Sequence, residues 1–368
     1  GTRVEIEVVP WGRMYEKWTT GLAAKTLADV AVAQPENYMG MWLAGASLPL
    51  DDVVSSVGGD GVFLPGVLDK HARYQGKTLA IPHYLHSTIL IYRKDLLDEK
   101  GLKAPDTWED LLKVCTAFTD KPNRYGFQQF WKTQPISGVM WTLWPIMQSN
   151  EGTFFDKNFN VVFNTSENVE AVKFIMQIQD RCSSPAAIEL DKDKDQWDLL
   201  GGGKTAMHFD TIFSLFIVDR DNPALGKKLA AWYPPKRKKL GQLASALSLV
   251  LLKGKNPEGG KRWIRFLLEE PRYIKFLHTV PGGHLPVTVA ASQSQTFWSH
   301  PYIQQHRREV EIMLAGVRDG FFPGMRWGLS PYFTLVHNTN IFPKMFHRMV
   351  ADKIPVEQAV ADAHRELE

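Results

Sequence analysis

The chain has 368 residues, enough for two hydrophobic cores, because single cores stop growing near about 250 to 300 residues. Apolar residues make up 44% and charged residues 23%, a balance that excludes an intrinsically disordered chain. The formal net charge of +3 comes from interspersed signs, and the run Lys236-Arg237-Lys238-Lys239 has no interleaved aromatic residue, so it reads as a solvated loop and no nucleic-acid partner is expected.

The first element in the chain is the alternating run Arg3 to Val9, a strand over Val4–Val9 ended by Pro10-Trp11. A helix over Gly12–Ala24 follows, with Tyr15, Trp18, Thr19 and Leu22 on one face. Asp29–Ala33 reads as a short buried strand, Gln34-Pro35-Glu36-Asn37-Tyr38 as a polar and aromatic loop at its carboxyl end, and Tyr38–Ala44 as a helix. Lys77–Pro82 has strand character closed by its proline. Ser87–Arg93 is a continuous apolar and β-branched run, the pattern of a central strand covered on both faces. A helical turn over Asp95–Glu99 stops at Gly101, and Ala104-Pro105-Asp106 breaks the chain. Thr107 and Asp110 then form a capping box for a helix whose apolar positions are Leu111, Val114, Cys115 and Phe118.

Tyr125–Phe130 reads as a strand, Gly138–Gln148 as a helix kinked or broken by Pro145, Asn164–Asp180 as a long amphipathic helix and Asp195–Leu200 as a short one. Leu229–Tyr233 and Ser245–Leu252 are further strands, and Asn256-Pro257 opens a helix over Glu258–Leu268. Helices near Pro301–Ala315, Tyr332–Val350 and Val356–Glu366 close the chain. The longest uncharged apolar-leaning segment, Pro135 to Asn150, is too short to cross a bilayer. Cys115 and Cys182 indicate no disulfide framework and are expected as two inert thiols.

Catalytic signatures are absent from the sequence: there is no H-E-x-x-H, C-x-x-C, G-x-S-x-G or G-x-G-x-x-G. Gly201-Gly202-Gly203-Lys204-Thr205 is not a P-loop, since position 198 is aspartate and no strand precedes it. No metal ligand set and no cofactor are expected, and the chain is expected not to be an enzyme.

Several ordered motifs carry a resemblance. They are Gly76-Lys77 with Ala80 and Pro82, then Tyr92 with Lys94-Asp95-Leu96-Leu97, then Gly101-Leu102 with Pro105, Thr107-Trp108 and Asp110-Leu111-Leu112. Further along stand Gly203-Lys204 with Ala206-Met207, Asn256-Pro257-Glu258, and Gly282-Gly283 with Leu285-Pro286-Val287. In this order they resemble the extracellular solute-binding proteins of ABC importers, in particular the carbohydrate-binding, maltose-binding-protein-like family. The resemblance implies an α/β, two-lobed periplasmic-binding-protein fold of type II, with lobes joined by a multi-strand hinge. It implies a first lobe over residues 1–92 and 246–286, apparently without its first strand and helix, and a second over 93–245 and 287–368 with C-terminal helices. It further implies a monomer, periplasmic or attached to the cell surface, that takes a sugar or sugar-like solute and delivers it to ABC permease transmembrane subunits. Ala244-Ser245-Ala246 departs from the glycine pair common in the family before this strand.

Sugars present C–H faces that stack on aromatic rings and hydroxyls that need polar partners, so Trp and Tyr beside Asp, Asn and Glu are the residues to seek. Trp11 resembles the family's cleft tryptophan, with core packing as the alternative. Glu36, Asn37 and Tyr38 follow a strand's carboxyl end, His83 and Tyr84 follow Pro82, and Asp210 ends a strand, where it could instead cap the next helix. Trp144, Trp232, Tyr233, Trp327 and Tyr332 are further candidate stacking rings, and Gly282, Gly283 and His284 could offer backbone N–H groups and a side chain. The competing functions are a carbohydrate-active enzyme with a carboxylate pair and a binder of a non-sugar solute such as a polyamine.

Overall fold

The structure, a computed structural model, describes residues 3–132 and 138–368, so the start of the uncharged stretch at 135–137 lies outside the described residues. The chain divides into two compact units. The first gathers Gly1–Leu85, Ser245–Gln305 and Trp327–Leu335, and the second His86–Ala244, His306–Arg326 and Val336–Glu368.

The first unit is built on a three-stranded sheet in the order Val30–Ala33, Ala244–Leu251, Ile81–Ser87. Its middle strand is buried along all eight residues, Ser245 and Ser248 included, as a strand covered on both faces is. Val30–Ala33 pairs with it antiparallel, Val30 opposite Leu251 and Ala33 opposite Ser248. Lys77–Thr78 forms a small hairpin with Arg73–Tyr74 through Gln75-Gly76, both at positive φ. Pro82 does not close a strand: Ile81–Ser87 runs through it, the proline lying near the strand's start where a missing donor is tolerated. The strand expected over Val4–Val9 is absent. Ile6 and Val8 are 80% and 90% exposed, because alternation supplies propensity but a strand needs a partner edge, and none pairs with this segment among the described residues.

The second unit centres on Ile89–Arg93, flanked by Met207–Asp210 and Leu229–Trp232, both antiparallel. Ile89, Leu90 and Ile91 are fully buried, as expected of a strand covered on both faces. The capping box at Thr107 forms: its hydroxyl accepts the Asp110 N–H at 3.1 Å, and the Asp110 carboxylate accepts the Thr107 N–H at 3.2 Å. The helix it opens, Trp108–Phe118, packs on Ser166–Cys182, Trp108 stacking on Phe174 with ring centres 4.5 Å apart. Cys115 and Cys182 are not thiols. They form a disulfide between these two helices, brought together by the same packing.

Other expectations need correction. Tyr125–Phe130 makes only an isolated bridge, Tyr125 with Thr205, and is not a strand. Gly138–Ser149 remains one helix through Pro145. The helix expected over Tyr332–Val350 is two, Phe333–Thr339 and Ile341–Ala351, broken at Asn340 with φ +58°, and that over Pro301–Ala315 breaks at His306. The break at His306 falls at a change of unit, after Gln305, whereas the change after Leu335 lies inside the helix Phe333–Thr339. Residues 287–305 and 327–335 therefore belong to the first unit and 86–92 to the second. Long-range bonds decide this: Leu64 N–H donates to the Val287 carbonyl at 2.8 Å, and Ile89–Arg93 pairs only with second-unit strands. Among the described residues no helix is long and apolar enough to cross a membrane.

Candidate functional site

In the first unit the strand Val30–Ala33 ends at Gln34, an extended N-cap, and Pro35 occupies the first position of the helix Pro35–Leu43. Glu36, Asn37 and Tyr38 thus lie in a first helical turn, not in a loop, and all are buried. Glu36 Oε1 accepts from Asn37 Nδ2 at 3.3 Å, while Oε2 is buried with no hydrogen-bond partner among the described residues. Burial pushes this carboxyl up to about 8, against the lowering effect of backbone and Asn37 hydrogen bonds, so it carries its proton at neutral pH. The Tyr38 hydroxyl donates to the His71 carbonyl. Thr334 donates to the Glu36 carbonyl, and a Cβ on Gly40 would lie 2.6 Å from the Thr334 methyl, so glycine is needed for segment 327–335 to approach the helix. That segment carries Trp327 and Tyr332, about half exposed at 49% and 50%.

His83 and Tyr84 lie within the strand Ile81–Ser87 and not after it. The Phe276 ring is stacked against His83 at 4.1 Å and against His284 at 5.0 Å, and Tyr84 meets His284 at 3.9 Å. Burial lowers His83 to about 3, with His284 adding repulsion, and lowers His284 to about 4, so both rings are neutral. Gly282 has φ +77°, but the Gly283 and His284 N–H groups both donate to the Val280 carbonyl at 3.0 Å, closing a turn instead of presenting donors. Trp11 opens a short 3-10 turn and is 40% exposed, which removes core packing as its role.

In the second unit Asp210 ends the strand Met207–Asp210 and is the centre of a buried network. Lys192 Nζ reaches Oδ1 at 3.2 Å, while Gln196 Nε2, Ser214 Oγ and Trp197 Nε1 all donate to Oδ2. Burial raises the Asp210 carboxyl, but the Lys192 ammonium and the hydrogen bonds prevail and hold it below the usual aspartate value. It does not serve as the N-cap of the helix Phe213–Asp221, which begins at Ile212 without a side-chain cap. Lys192 Nζ lies 4.1 Å over the Trp141 ring, and His86 meets the same ring edge-on at 5.8 Å. The Gln196 amide is oriented by its two acceptors, leaving its Oε1 buried and, like both His208 nitrogens, without a hydrogen-bond partner among the described residues. Burial lowers His208 to about 4.

Lys192, Gln196, Trp197 and Trp141 were missed in the sequence. The readable signal was a lysine and a glutamine at i and i+4 beside a tryptophan, on a helix that starts at Lys192, three residues before the expected Asp195. Trp144 is 1% exposed, stacks on Phe154 and donates to the Phe321 carbonyl at 2.8 Å, so it is part of the second unit's core. Trp232 donates to Asp106 Oδ1 at 2.6 Å beneath Arg308, with Tyr233 edge-on beside it, a setting apart from the Asp210 carboxylate's own donors. Among the described residues no group of three His, Cys, Asp or Glu could hold a metal ion.

Residues 1–305 match the family model of the bacterial extracellular solute-binding proteins. A binding protein of Brucella abortus is 26% identical over 300 residues, 78% of this chain and 69% of that protein. The arabinooligosaccharide-binding protein of Halalkalibacterium halodurans is 23% identical over 180 residues, 47% of this chain, which thereby spans only 38% of that protein. Among solved structures, an ABC transporter solute-binding protein of Thermotoga lettingae bound with alpha-D-tagatose aligns with a TM-score of 0.84 at 18% identity, covering 96% of this chain and 88% of that one. Another from Agrobacterium radiobacter, in complex with ribitol, aligns at 0.80 and 19%, covering 98% and 90%. At these identities the structural likeness is one of fold, and it agrees with the family match: the chain belongs to the bacterial extracellular solute-binding protein family.

Proposed function

We propose that this chain captures a neutral sugar or polyol outside the cytoplasm, as a monomer, and delivers it to the transmembrane subunits of an ABC importer. The observation that carries the reading is the state of two buried carboxyls. Glu36 is neutral because burial keeps its proton on, and Asp210 is compensated by Lys192 and three uncharged donors. A polyamine would need carboxylates with charge left to pair. Hydroxyls instead suit neutral donors and acceptors such as the Glu36 carboxyl and Gln196 Oε1. A carbohydrate-active enzyme would need a carboxylate able to attack or take up a proton, whereas Asp210 already accepts from four groups. The sugar and polyol ligands named for relatives and structural neighbours support the same class.

The test is a thermal-shift and calorimetry panel of pentoses, hexoses, oligosaccharides, alditols and polyamines, with product analysis on glycosides. A saturable rise in melting temperature with a sugar or alditol and no product is expected. A shift with polyamines alone, or turnover of a glycoside, overturns the reading.

A further inference from the structure

Glu36 has a feature that its place in the first helical turn does not explain. A carboxylate there would be favoured by the helix dipole and by the free N–H groups of that turn. Instead the side chain is 4% exposed, and Oε2 is buried with no hydrogen-bond partner among the described residues. A buried polar atom left unpaired is destabilising, and a ligand that supplies its partner accounts for keeping it there. On its own helix the groups beside it are the Asn37 amide and the Tyr38 hydroxyl; from segment 327–335 comes Thr334, and from the middle strand Ser248, whose side chain lies by the Tyr38 hydroxyl. The helix Val67–His71 contributes the His71 carbonyl. On the helix Met14–Ala24, Glu16 and Lys17 are exposed and pair with Arg13 and Glu7.

Resting on the sugar or polyol reading above, we propose that Glu36 is a specificity-determining residue that works in its acid form. Its carboxyl gives its hydrogen to an oxygen of the bound sugar or polyol, so that ligand and proton bind together. A ligand ammonium cannot accept that hydrogen bond, which makes the same group a filter against polyamines. The burial that lifts this carboxyl to about 8 sets where the linkage is visible. The buried histidines of the same unit, His83 and His284, titrate far below that range, and the buried Tyr38 far above it.

The sign follows from the raised value. The binding-competent acid form is nearly complete at pH 6 to 7 and is lost as pH rises through about 8. Affinity for the best sugar or polyol of the panel should therefore fall about tenfold between pH 7 and pH 9. Calorimetry at pH 8 in buffers of different ionisation enthalpy should show uptake of up to about half a proton per ligand bound, and almost none at pH 6. Glu36→Gln keeps a donor amide but has nothing to titrate, so it should abolish the slope whatever its absolute affinity. A wild-type profile that is flat from pH 6 to pH 9 with no proton uptake overturns the proposal. So does a Glu36→Gln variant that keeps the slope. The wild-type measurements stand even if the variant does not fold. Absence of binding by any sugar or polyol at any pH would instead overturn the reading of function.

Discussion

Cys115 and Cys182 are joined across 67 positions of sequence, with their Cα atoms 5.6 Å apart, so the disulfide ties the capped helix Trp108–Phe118 to the last turn of Ser166–Cys182. Closing a loop of this length removes conformational freedom from the unfolded chain, typically worth about 2 to 4 kcal/mol. Replacing both cysteines by serine, or reducing the bond, should lower the urea midpoint of the second unit accordingly. Equal midpoints with and without reductant would show that helix packing alone holds this pair.

The Lys192 and Asp210 pair makes a second prediction because both side chains are nearly inaccessible, at 6% and 4%. Asp210→Ala would remove the carboxylate that pairs with the buried Lys192 ammonium over Trp141, and breaking a buried pair in this way costs about 3 to 5 kcal/mol. The double variant Lys192→Met, Asp210→Leu removes both charges and should cost much less than the sum of the two single changes. Additive losses in denaturant unfolding would mean the two residues act independently.

How much of this was legible depended on whether the signal was local. Thr107 and Asp110 lie three residues apart, and the capping box they make is complete within one turn, so sequence sufficed. Ile89–Arg93 advertised its burial by an unbroken apolar run, and the structure gives it two partners. Val4–Val9 has the alternation of a strand but no edge to pair with, which alternation cannot reveal. The disulfide and the Lys192–Asp210 network depend on which elements meet, two helices in one and a helix and a strand in the other, over separations of 67 and 18 residues. Glu36 was readable as a polar residue after a strand; its protonation was not, because burial is a property of the packed chain.

Acid should loosen the fold through its buried histidines. Burial lowers His83 to about 3 and His208 to about 4, both below the ordinary histidine value. Between that ordinary value of about 6.5 and the folded value, the unfolded chain binds more protons, so stability is present at neutral pH and falls as pH drops. Each histidine contributes a loss of at most about 2 kcal/mol between pH 6.5 and pH 5. The urea midpoint should fall over that interval, and His208→Gln should shrink the fall. A midpoint independent of pH from 7 to 5 would show that these rings gain protons in the folded state as easily as in water.

Trp11 and Trp144 separate two uses of tryptophan within one chain. Trp144 is enclosed in the second unit, stacked on Phe154 and bonded to the Phe321 carbonyl, so Trp144→Ala removes a filled volume and should cost about 3 to 5 kcal/mol of stability. Trp11 is 40% exposed at the start of a 3-10 turn, and Trp11→Ala should change stability by less than about 1 kcal/mol. If its ring stacks on the sugar, the lost face contact and burial amount to about 1.5 to 3 kcal/mol, which is a drop in affinity of roughly ten- to a few hundred-fold. Calorimetry and melting on the two variants test both statements together. A Trp11→Ala protein that melts much earlier, or that binds the solute as tightly as the parent chain, would take Trp11 out of the proposed site.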